Sequence, residues 1–184
     1  MIAETICDKD REVISMSKTL CIAYNLSEYE SKYYSMIFYD FSKQYRIPWE
    51  IYPAFVKVES NYNPRARSES DAKGLTQLLE STGKATAKNL DINYKANETL
   101  WNDIHNLVIG LTYFSQGIKD DTTKVDSLVN NHCIARYIGG PGYARNMKKN
   151  KNTKSMIESY LIKVNDEFIK LKYIHKGVKS DGTK

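Results

Sequence analysis

The chain has 184 residues and a formal net charge of +5. This length suits one domain with a substantial core, and 41% hydrophobic with 27% charged residues is typical of a globular protein. No apolar run approaches the roughly 18 residues of a transmembrane helix, which argues against stable membrane insertion. The three cysteines lack the CxxC spacing of a zinc site, so we expect neither a metal nor a cofactor. A Cys7–Cys21 disulfide stays open for an exported protein.

The basic balance favours anionic partners in general: nucleic acid, anionic lipid or an anionic cell wall. The densest basic run is Asn-rich and carries no nucleic-acid-binding motif, so we expect no nucleic-acid partner. It consists of Lys148, Lys149, Lys151 and Lys154. The N-terminus, MIAETICDKDREV, lacks the basic and apolar regions of a signal peptide. The sequence therefore predicts a cytosolic product or a chain from which a leader has been removed.

Apolar spacing predicts helices from the N-terminus onward. The first helix ends at Tyr24, before a turn at Asn25, and Ser27 is a candidate N-cap for the second. The second helix buries a stripe with i, i+3, i+4 spacing: Tyr34, Ile37, Phe38, Phe41 and Tyr45. Pro48 begins the third helix, which stops near Asn61 and turns Ile51, Ala54, Phe55 and Val58 inward.

Residues 62–74 are predicted to form a loop, with room for a small β-hairpin. Ser81 or Thr82 caps the next helix, which runs to about Leu90. The clearest stripe follows: Ile104, Leu107, Val108, Leu111, Phe114 and Ile118. Further helices are predicted from Lys124 to Tyr137 and from about Ser155 to Ile174, with a tight turn at residues 139–142 between them. The last helix places Ile157, Tyr160, Leu161, Val164, Phe168 and Leu171 on its core-facing stripe.

This pattern predicts a mainly α fold in which residues 1–30 form a helical extension packed on a domain of residues 31–175. Residues 176–184 are predicted to be a flexible tail. We found no internal repeat and no linker within the domain.

Glu59 is an unusual residue for the end of an apolar helix. Helical spacing places it beside Phe55 and Val56, so its carboxyl is expected to be partly removed from water. Burial of this kind raises the pKa of a carboxyl and makes it a general acid at neutral pH. A surface Glu at a helix C-terminus is the alternative interpretation, mildly unfavourable beside the negative end of the helix dipole.

Three blocks of sequence around Glu59 are similar to one family. The first runs from Glu59-Ser60 through Asn63-Pro64, Ala66, Ser68 and Gly74-Leu75 to Gln77 and Thr82. The second is Asn106-Leu107, Gly110 and Tyr113, and the third is the run from Tyr137 to Gly142, YIGGPG. Together they resemble the soluble lytic transglycosylase (SLT) domain family, of lysozyme-like fold, over about residues 35–145.

The resemblance implies cleavage of the MurNAc–GlcNAc β-1,4 bond of peptidoglycan with formation of 1,6-anhydroMurNAc ends. It implies that Glu59 is the single acid/base, that Ser68 hydrogen-bonds Glu59 or the sugar, and that Gln77 lines the cleft. Tyr137 matches a Tyr that positions the catalytic Glu. Asn106 and Gly110 are interpreted as structural, Gly110 allowing close helix packing.

The sequence departs from the family at two cleft positions. Thr76 stands where Met is usual and is expected to alter a subsite of the cleft. Ile138 stands where Asn is usual, and its side chain cannot donate or accept a hydrogen bond. Two alternatives therefore remain. One is a hydrolytic, phage-type muramidase, which needs a second carboxylate such as Glu69, Asp71 or Glu80. The other is a non-catalytic wall-binding or structural component.

The partner implied by the resemblance is the glycan strand of peptidoglycan, bound by a monomer. The expected place of action is the bacterial cell wall, in the periplasm or outside the cell. Because no signal peptide is present, we expect a phage lysin, a virion-associated protein or a trimmed chain.

Overall fold

A computed structural model describes residues 7–96, 98–119, 134–138 and 151–181, without the side chains of residues 119, 151–153 and 181. Six helices make up most of this part of the chain. They are α1 (Asp8–Tyr24), α2 (Glu28–Tyr45), α3 (Ile51–Ser60), α4 (Glu80–Asn89), α5 (Asp103–Lys119) and α6 (Lys151–Asp181). A 3-10 turn spans Thr99–Trp101, and residues 134–138 are also helical. The prediction of a mainly α fold is confirmed.

The described residues fall into two compact units. The first combines those of Met1–Ala54 with those of Asp166–Lys184, and the second comprises those of Phe55–Asn165. The chain passes from one unit to the other within α3 and within α6. The predicted domain boundaries at residues 30 and 175 do not coincide with this division, and they stay a prediction.

The first unit is built around α1 and α2. Ser27 caps α2 through a reciprocal capping box with Glu30, as its sequence position predicted. Aromatic side chains of α2 pack on Tyr52, whose ring lies 6.4 Å from that of Phe38 and 5.9 Å from that of Phe41. Cys7 and Cys21 are free thiols.

The second unit has its core between α4, α5 and the loop that precedes α4. Leu78, Ala87, Leu100 and Ile109 form one buried cluster. Phe55 stacks on Phe114 with ring centroids 4.3 Å apart, joining the end of α3 to α5. These contacts fix the C-terminal turn of α3, which carries Glu59.

Several predicted element boundaries were wrong. Helix α3 begins at Ile51 rather than Pro48, after a turn in which the Ile51 amide donates to the Pro48 carbonyl. Leu79, not Ser81 or Thr82, is the N-cap residue of α4, and it supplies no side-chain cap. Val58 is half-buried and Ile104 is 45% exposed, so neither is a core residue.

The loop before α4 contains no strand within the described residues. The predicted hairpin is reduced to two isolated antiparallel bridges, Arg67 with Lys73 and Lys73 with Leu78. The helix predicted from Lys124 to Tyr137 lies outside the described residues except for residues 134–138. The predicted turn at residues 139–142 lies wholly outside them.

The prediction of a flexible tail is wrong for residues 176–181, because α6 continues to Asp181. Two contacts of the first unit explain the continued helix. His175 is buried against Trp49, with ring centroids 4.9 Å apart. Lys179 also pairs with Glu12 of α1 at 3.2 Å.

Candidate active site

Glu59 lies on the last turn of α3, where the backbone changes direction. Asn61 and Tyr62 follow it with φ angles of 53° and 61°, in the left-handed region that ends helices. Phe55, one turn earlier, is fully buried, so the helix presents an apolar face on the same side as Glu59. The carboxyl therefore stands at the border between the core and the loop of residues 61–79.

The Glu59 carboxyl is enclosed even though the residue as a whole is only half-buried. Burial raises the pKa of Glu59 from 4.5 to about 8, and the hydrogen bond from Tyr160 partly opposes this rise. That bond runs from the Tyr160 phenol to Oε1 of Glu59. Glu59 thus holds a proton at neutral pH, which is the state that a general acid requires.

A cavity of about 390 Å³ opens in front of Glu59. Its polar wall includes Ser68, Ser70, Gln77, Thr82, Tyr113, Tyr137 and Tyr160, and its apolar wall Ala72, Leu78, Leu79, Ile138 and Met156. Leu79 and Met156 are 40% and 47% exposed, as expected of apolar side chains at the mouth of a ligand cleft. The four predicted site residues, Glu59, Ser68, Gln77 and Tyr137, all line this cavity.

A larger cavity, of about 590 Å³, lies in the first unit along α1. Its one carboxylate belongs to Glu28, which is exposed to solvent. Because it lacks an enclosed acid, we assign the chemistry to the smaller cavity around Glu59.

Ser68 lines the cavity but is bonded to its own loop. Its hydroxyl accepts a hydrogen bond from the Ala72 amide at 3.0 Å, and the Ser68 amide donates to the Ala72 carbonyl at 3.0 Å. Among the described residues no hydrogen bond joins Ser68 to Glu59. The hydroxyl hydrogen stays available for a ligand in the cavity.

Gln77 is held in the left-handed region, with φ of 48°. Its Nε2 donates to the carbonyls of Ala66 at 3.1 Å and Gly74 at 2.9 Å. The amide nitrogen therefore fixes the loop, and the side chain contributes its remaining surface to the cavity.

Thr76 does not line the cavity, contrary to the prediction that it alters a subsite. Its side chain is fully buried, and its hydroxyl donates to the Asn106 side chain at 2.7 Å. Thr76 lies in an irregular loop beside Gln77, whose φ is in the left-handed region, so no regular spacing in the sequence predicts that Thr76 is buried.

Tyr137 stands beside Glu59 without bonding to it. Its phenol donates to the Thr76 carbonyl, and its ring packs edge-on against Phe55 at 4.8 Å. Burial is the main cause that holds the pKa of Tyr137 well above its usual range, and the nearby Glu59 charge adds to it. The hydrogen bond to the Glu59 carboxyl comes from Tyr160, and the positioning role that the resemblance implies for Tyr137 stays a prediction.

Sequence reasoning missed the role of Tyr160, which it assigned to the core stripe of the last helix. The residue is 101 positions from Glu59, and its helical spacing fits a packing residue equally well. A half-buried Tyr on such a stripe is only a weak signal of a functional role. Its hydroxyl needs a polar partner, but the spacing does not identify that partner.

Asn106 fastens the cavity loop to α5. Its Nδ2 donates to the carbonyls of Lys73 at 2.8 Å and Leu100 at 3.0 Å, and its Oδ1 accepts from the Thr76 amide at 2.8 Å. Gly110, one turn further along, has no room for a side chain, since an added Cβ would lie 2.1 Å from Thr76 Oγ1. These contacts agree with the structural roles predicted for Asn106 and Gly110.

The three carboxylates named for a hydrolytic site do not line the cavity. Asp71 pairs with Arg67 at 2.6 Å and with Lys73 at 3.4 Å, and Glu80 pairs with Lys73 at 3.0 Å. The hydrogen bond from Arg67 holds the pKa of Asp71 below its usual range. Glu69 is exposed. Among the described lining residues, Glu59 is the one carboxylic acid.

The described residues contain no group of three or more His, Cys, Asp or Glu side chains placed to hold a metal ion. None of the helices in the part that the structure describes is both long and apolar enough to cross a membrane.

Sequence comparison identifies a family model and a related protein that match this chain. The profile of the family described as "Transglycosylase SLT domain" matches residues 36–160. A protein of Haemophilus influenzae assigned as a soluble lytic murein transglycosylase is 36% identical over 63 residues. That match spans 34% of this chain and 11% of the relative's length.

Solved structures of larger proteins share the fold. An inactive Glu-to-Gln mutant of the lytic transglycosylase Slt from Pseudomonas aeruginosa superposes with a TM-score of 0.59 at 20% identity, covering 91% of this chain and 31% of that chain. The 70 kDa soluble lytic transglycosylase of Escherichia coli gives 0.59 at 19% identity, covering 94% of this chain and 31% of that one. This chain therefore belongs to the transglycosylase SLT domain family and has its mainly helical, lysozyme-like fold.

Proposed function

We propose that this chain is a peptidoglycan lytic transglycosylase that cleaves the MurNAc–GlcNAc β-1,4 bond with Glu59 as its single acid/base. The observation that carries the proposal is an enclosed carboxyl of pKa about 8 facing a cavity in which no other described side chain is a carboxylic acid. A glycosidase that activates water normally needs two carboxyl groups, whereas intramolecular attack by the substrate needs one.

The reaction proceeds in two proton transfers through the same carboxyl. Protonated Glu59 donates its proton to the glycosidic oxygen as the bond to C1 of MurNAc breaks, and GlcNAc leaves as the alcohol. The carboxylate so formed accepts the proton of the MurNAc C6 hydroxyl while O6 bonds to C1. The product ends in 1,6-anhydroMurNAc, Glu59 is protonated again, and no water is consumed.

The surrounding residues have distinct tasks in this proposal. Tyr160 orients the Glu59 carboxyl by its hydrogen bond. Ser68 offers its hydroxyl hydrogen to the sugar, and Gln77 and Tyr137 shape the cleft wall. The oxocarbenium-like charge at C1 is met by the acetamido group of the substrate. Ile138 contributes apolar surface to the same wall.

Digestion of purified sacculi tests the proposal. The wild-type chain is expected to release muropeptides with anhydro ends, each lighter by one water than the hydrolytic product, as measured by mass spectrometry. Glu59→Gln keeps the shape of the side chain but cannot donate a proton, so the rate should fall by about 10²–10⁴-fold. Glu69→Gln, which changes an exposed carboxylate outside the cavity, should leave the rate unchanged.

The other outcomes identify the alternatives. Hydrolytic ends in place of anhydro ends would make the chain a muramidase. Retention of the chain on sacculi without any released product would make it a non-catalytic wall-binding component. The proposal also places its action at the bacterial cell wall, with glycan strands as partner.

A further inference from the structure

His175, on the C-terminal part of α6, is buried among residues of the first unit. It is 6% exposed and meets Trp49 edge to face, with an angle of 68° between the rings. Its Nδ1 lies 2.9 Å from the hydroxyl of Thr19, a fully buried residue of α1. His175 therefore links the end of α6 to the middle of α1.

The hydrogen bonds around Thr19 fix the state of the imidazole. The Thr19 hydroxyl has one hydrogen and donates it to the Ser15 carbonyl at 2.8 Å. Thr19 Oγ1 is then an acceptor towards His175, so the imidazole proton lies on Nδ1. The Nε2 atom carries a lone pair and is buried without a hydrogen-bond partner. The opposite tautomer would bury an N–H donor with no acceptor, which is less favourable.

Two elements bring charged groups near this imidazole: α1 contributes Glu12 and α6 contributes Lys179. Burial is the main cause that lowers the pKa of His175, Lys179 adds to the effect and Glu12 opposes it. Glu50 responds to the same Glu12 and Lys179 charges, and burial raises its pKa. Glu12 and Lys179 are themselves paired at 3.2 Å.

We propose that His175 is a pH-sensitive latch between α6 and α1, closed while its imidazole is neutral and opened when Nε2 takes up a proton. Protonation creates a charged N–H group at a buried position where the described residues supply no acceptor. Release of the helix end lets water solvate that group. The latch acts on the helix that also carries Tyr160.

The sign of the pH dependence follows from the neutral folded state. Because the folded pKa lies below 6.5, the released helix end binds more protons than the latched one as the pH falls below 6.5. The latch is therefore most stable above pH 6.5, and its stability falls as the pH drops from 6.5 to the folded pKa. Between these two values the opening constant rises by about ten-fold per pH unit.

Amide hydrogen exchange of the full chain at about pH 7.5 and about pH 5 measures the latch. After correction for intrinsic exchange rates, protection of residues 166–181 and of α1 should fall at the lower pH. His175→Phe keeps a ring against Trp49 and cannot be protonated, so its protection should not change with pH in this way. His105→Phe, which removes another histidine, should behave as the wild type.

A second measurement covers the case in which His175→Phe fails to fold. Nitrogen-15 NMR of the wild-type imidazoles should show His175 with its proton on Nδ1 and titrating below 6.5. A proton on Nε2, a pKa at or above 6.5, or an equal loss of protection in a folded His175→Phe variant would overturn the proposal.

Discussion

The Glu59 carboxyl is subject to two opposing influences on its pKa. Burial raises the value to about 8, and the hydrogen bond from Tyr160 lowers it. Since the acid must be protonated when the glycosidic bond breaks, the rate should decline above about pH 8 by about ten-fold per pH unit. The alkaline limb of the pH–rate profile therefore reports the Glu59 titration directly.

Substitution of Tyr160 separates positioning from packing. Tyr160→Phe removes the hydrogen bond that lowers the Glu59 pKa, so the alkaline limb should move to higher pH. The plateau rate should also fall, by about ten-fold, because the carboxyl is less well oriented. Tyr173→Phe, on an exposed Tyr of the same helix, is the control and should change neither quantity. An unmoved alkaline limb in Tyr160→Phe would refute the role given to its phenol.

Burial of Glu59 also carries a cost in stability that depends on pH. The folded pKa is raised, so the folded chain binds more protons than the unfolded chain between pH 4.5 and about 8. As the pH rises through this window, the free energy of unfolding of the wild type should fall relative to that of Glu59→Gln, by about 1.4 kcal/mol per pH unit. Denaturant unfolding at several pH values measures the difference, and parallel curves for the two proteins would contradict it.

At the scale of elements, the site depends on how closely α5 approaches the cavity loop. Gly110→Ala would place a Cβ 2.1 Å from Thr76 Oγ1 and 2.5 Å from Thr76 Cβ, so one of the two elements must move. We expect a loss of about 1–3 kcal/mol in the free energy of unfolding, together with reduced activity.

Gly177→Ala provides the matched control for that substitution. Gly177 lies on α6, and a Cβ added there would meet no other atom within 4 Å outside the backbone of its own helix. The change should be neutral or stabilise the chain by up to about 1 kcal/mol, since Ala favours helix. Equal effects of the two substitutions on the unfolding midpoint would show that Thr76 does not limit the approach of α5.

Elements were predictable where their signals are local. The N-cap role of Ser27 depends on residues within four positions, and the stripe of α2 repeats along one helix, so both could be predicted from sequence. Of the predicted stripe, Tyr34, Phe38 and Phe41 are buried, whereas Ile37 and Tyr45 are half-buried. The continuation of α6 depends on Thr19 and His175, which are 156 positions apart. The start of α4 was missed for a related reason, because Glu80 pairs with Lys73 across the loop while Ser81 and Thr82 lie inside the helix.

At the scale of the whole molecule, the position of the acid was easier to predict than its partners. Glu59 belongs to a short motif whose spacing is visible in the chain, and its apolar helix already indicated a raised pKa. The burial of Thr76 occurs in a loop with a left-handed residue, Gln77, and the role of Tyr160 depends on a contact between distant segments. Local spacing in the sequence predicts neither. The four predicted residues share one cavity, but the hydrogen-bond partner of each one had to come from the structure, and among the described residues none of these partners belongs to the predicted set.

The central claim is that the MurNAc C6 hydroxyl, and not water, attacks C1. Digestion of sacculi in water enriched in oxygen-18 tests this claim most directly. If the MurNAc C6 hydroxyl attacks C1, the released ends are 1,6-anhydro and contain no oxygen-18 at the moment of cleavage. Ends that carry one oxygen-18 atom and the mass of an added water would show that water is the nucleophile, and would contradict the single-acid mechanism given to Glu59.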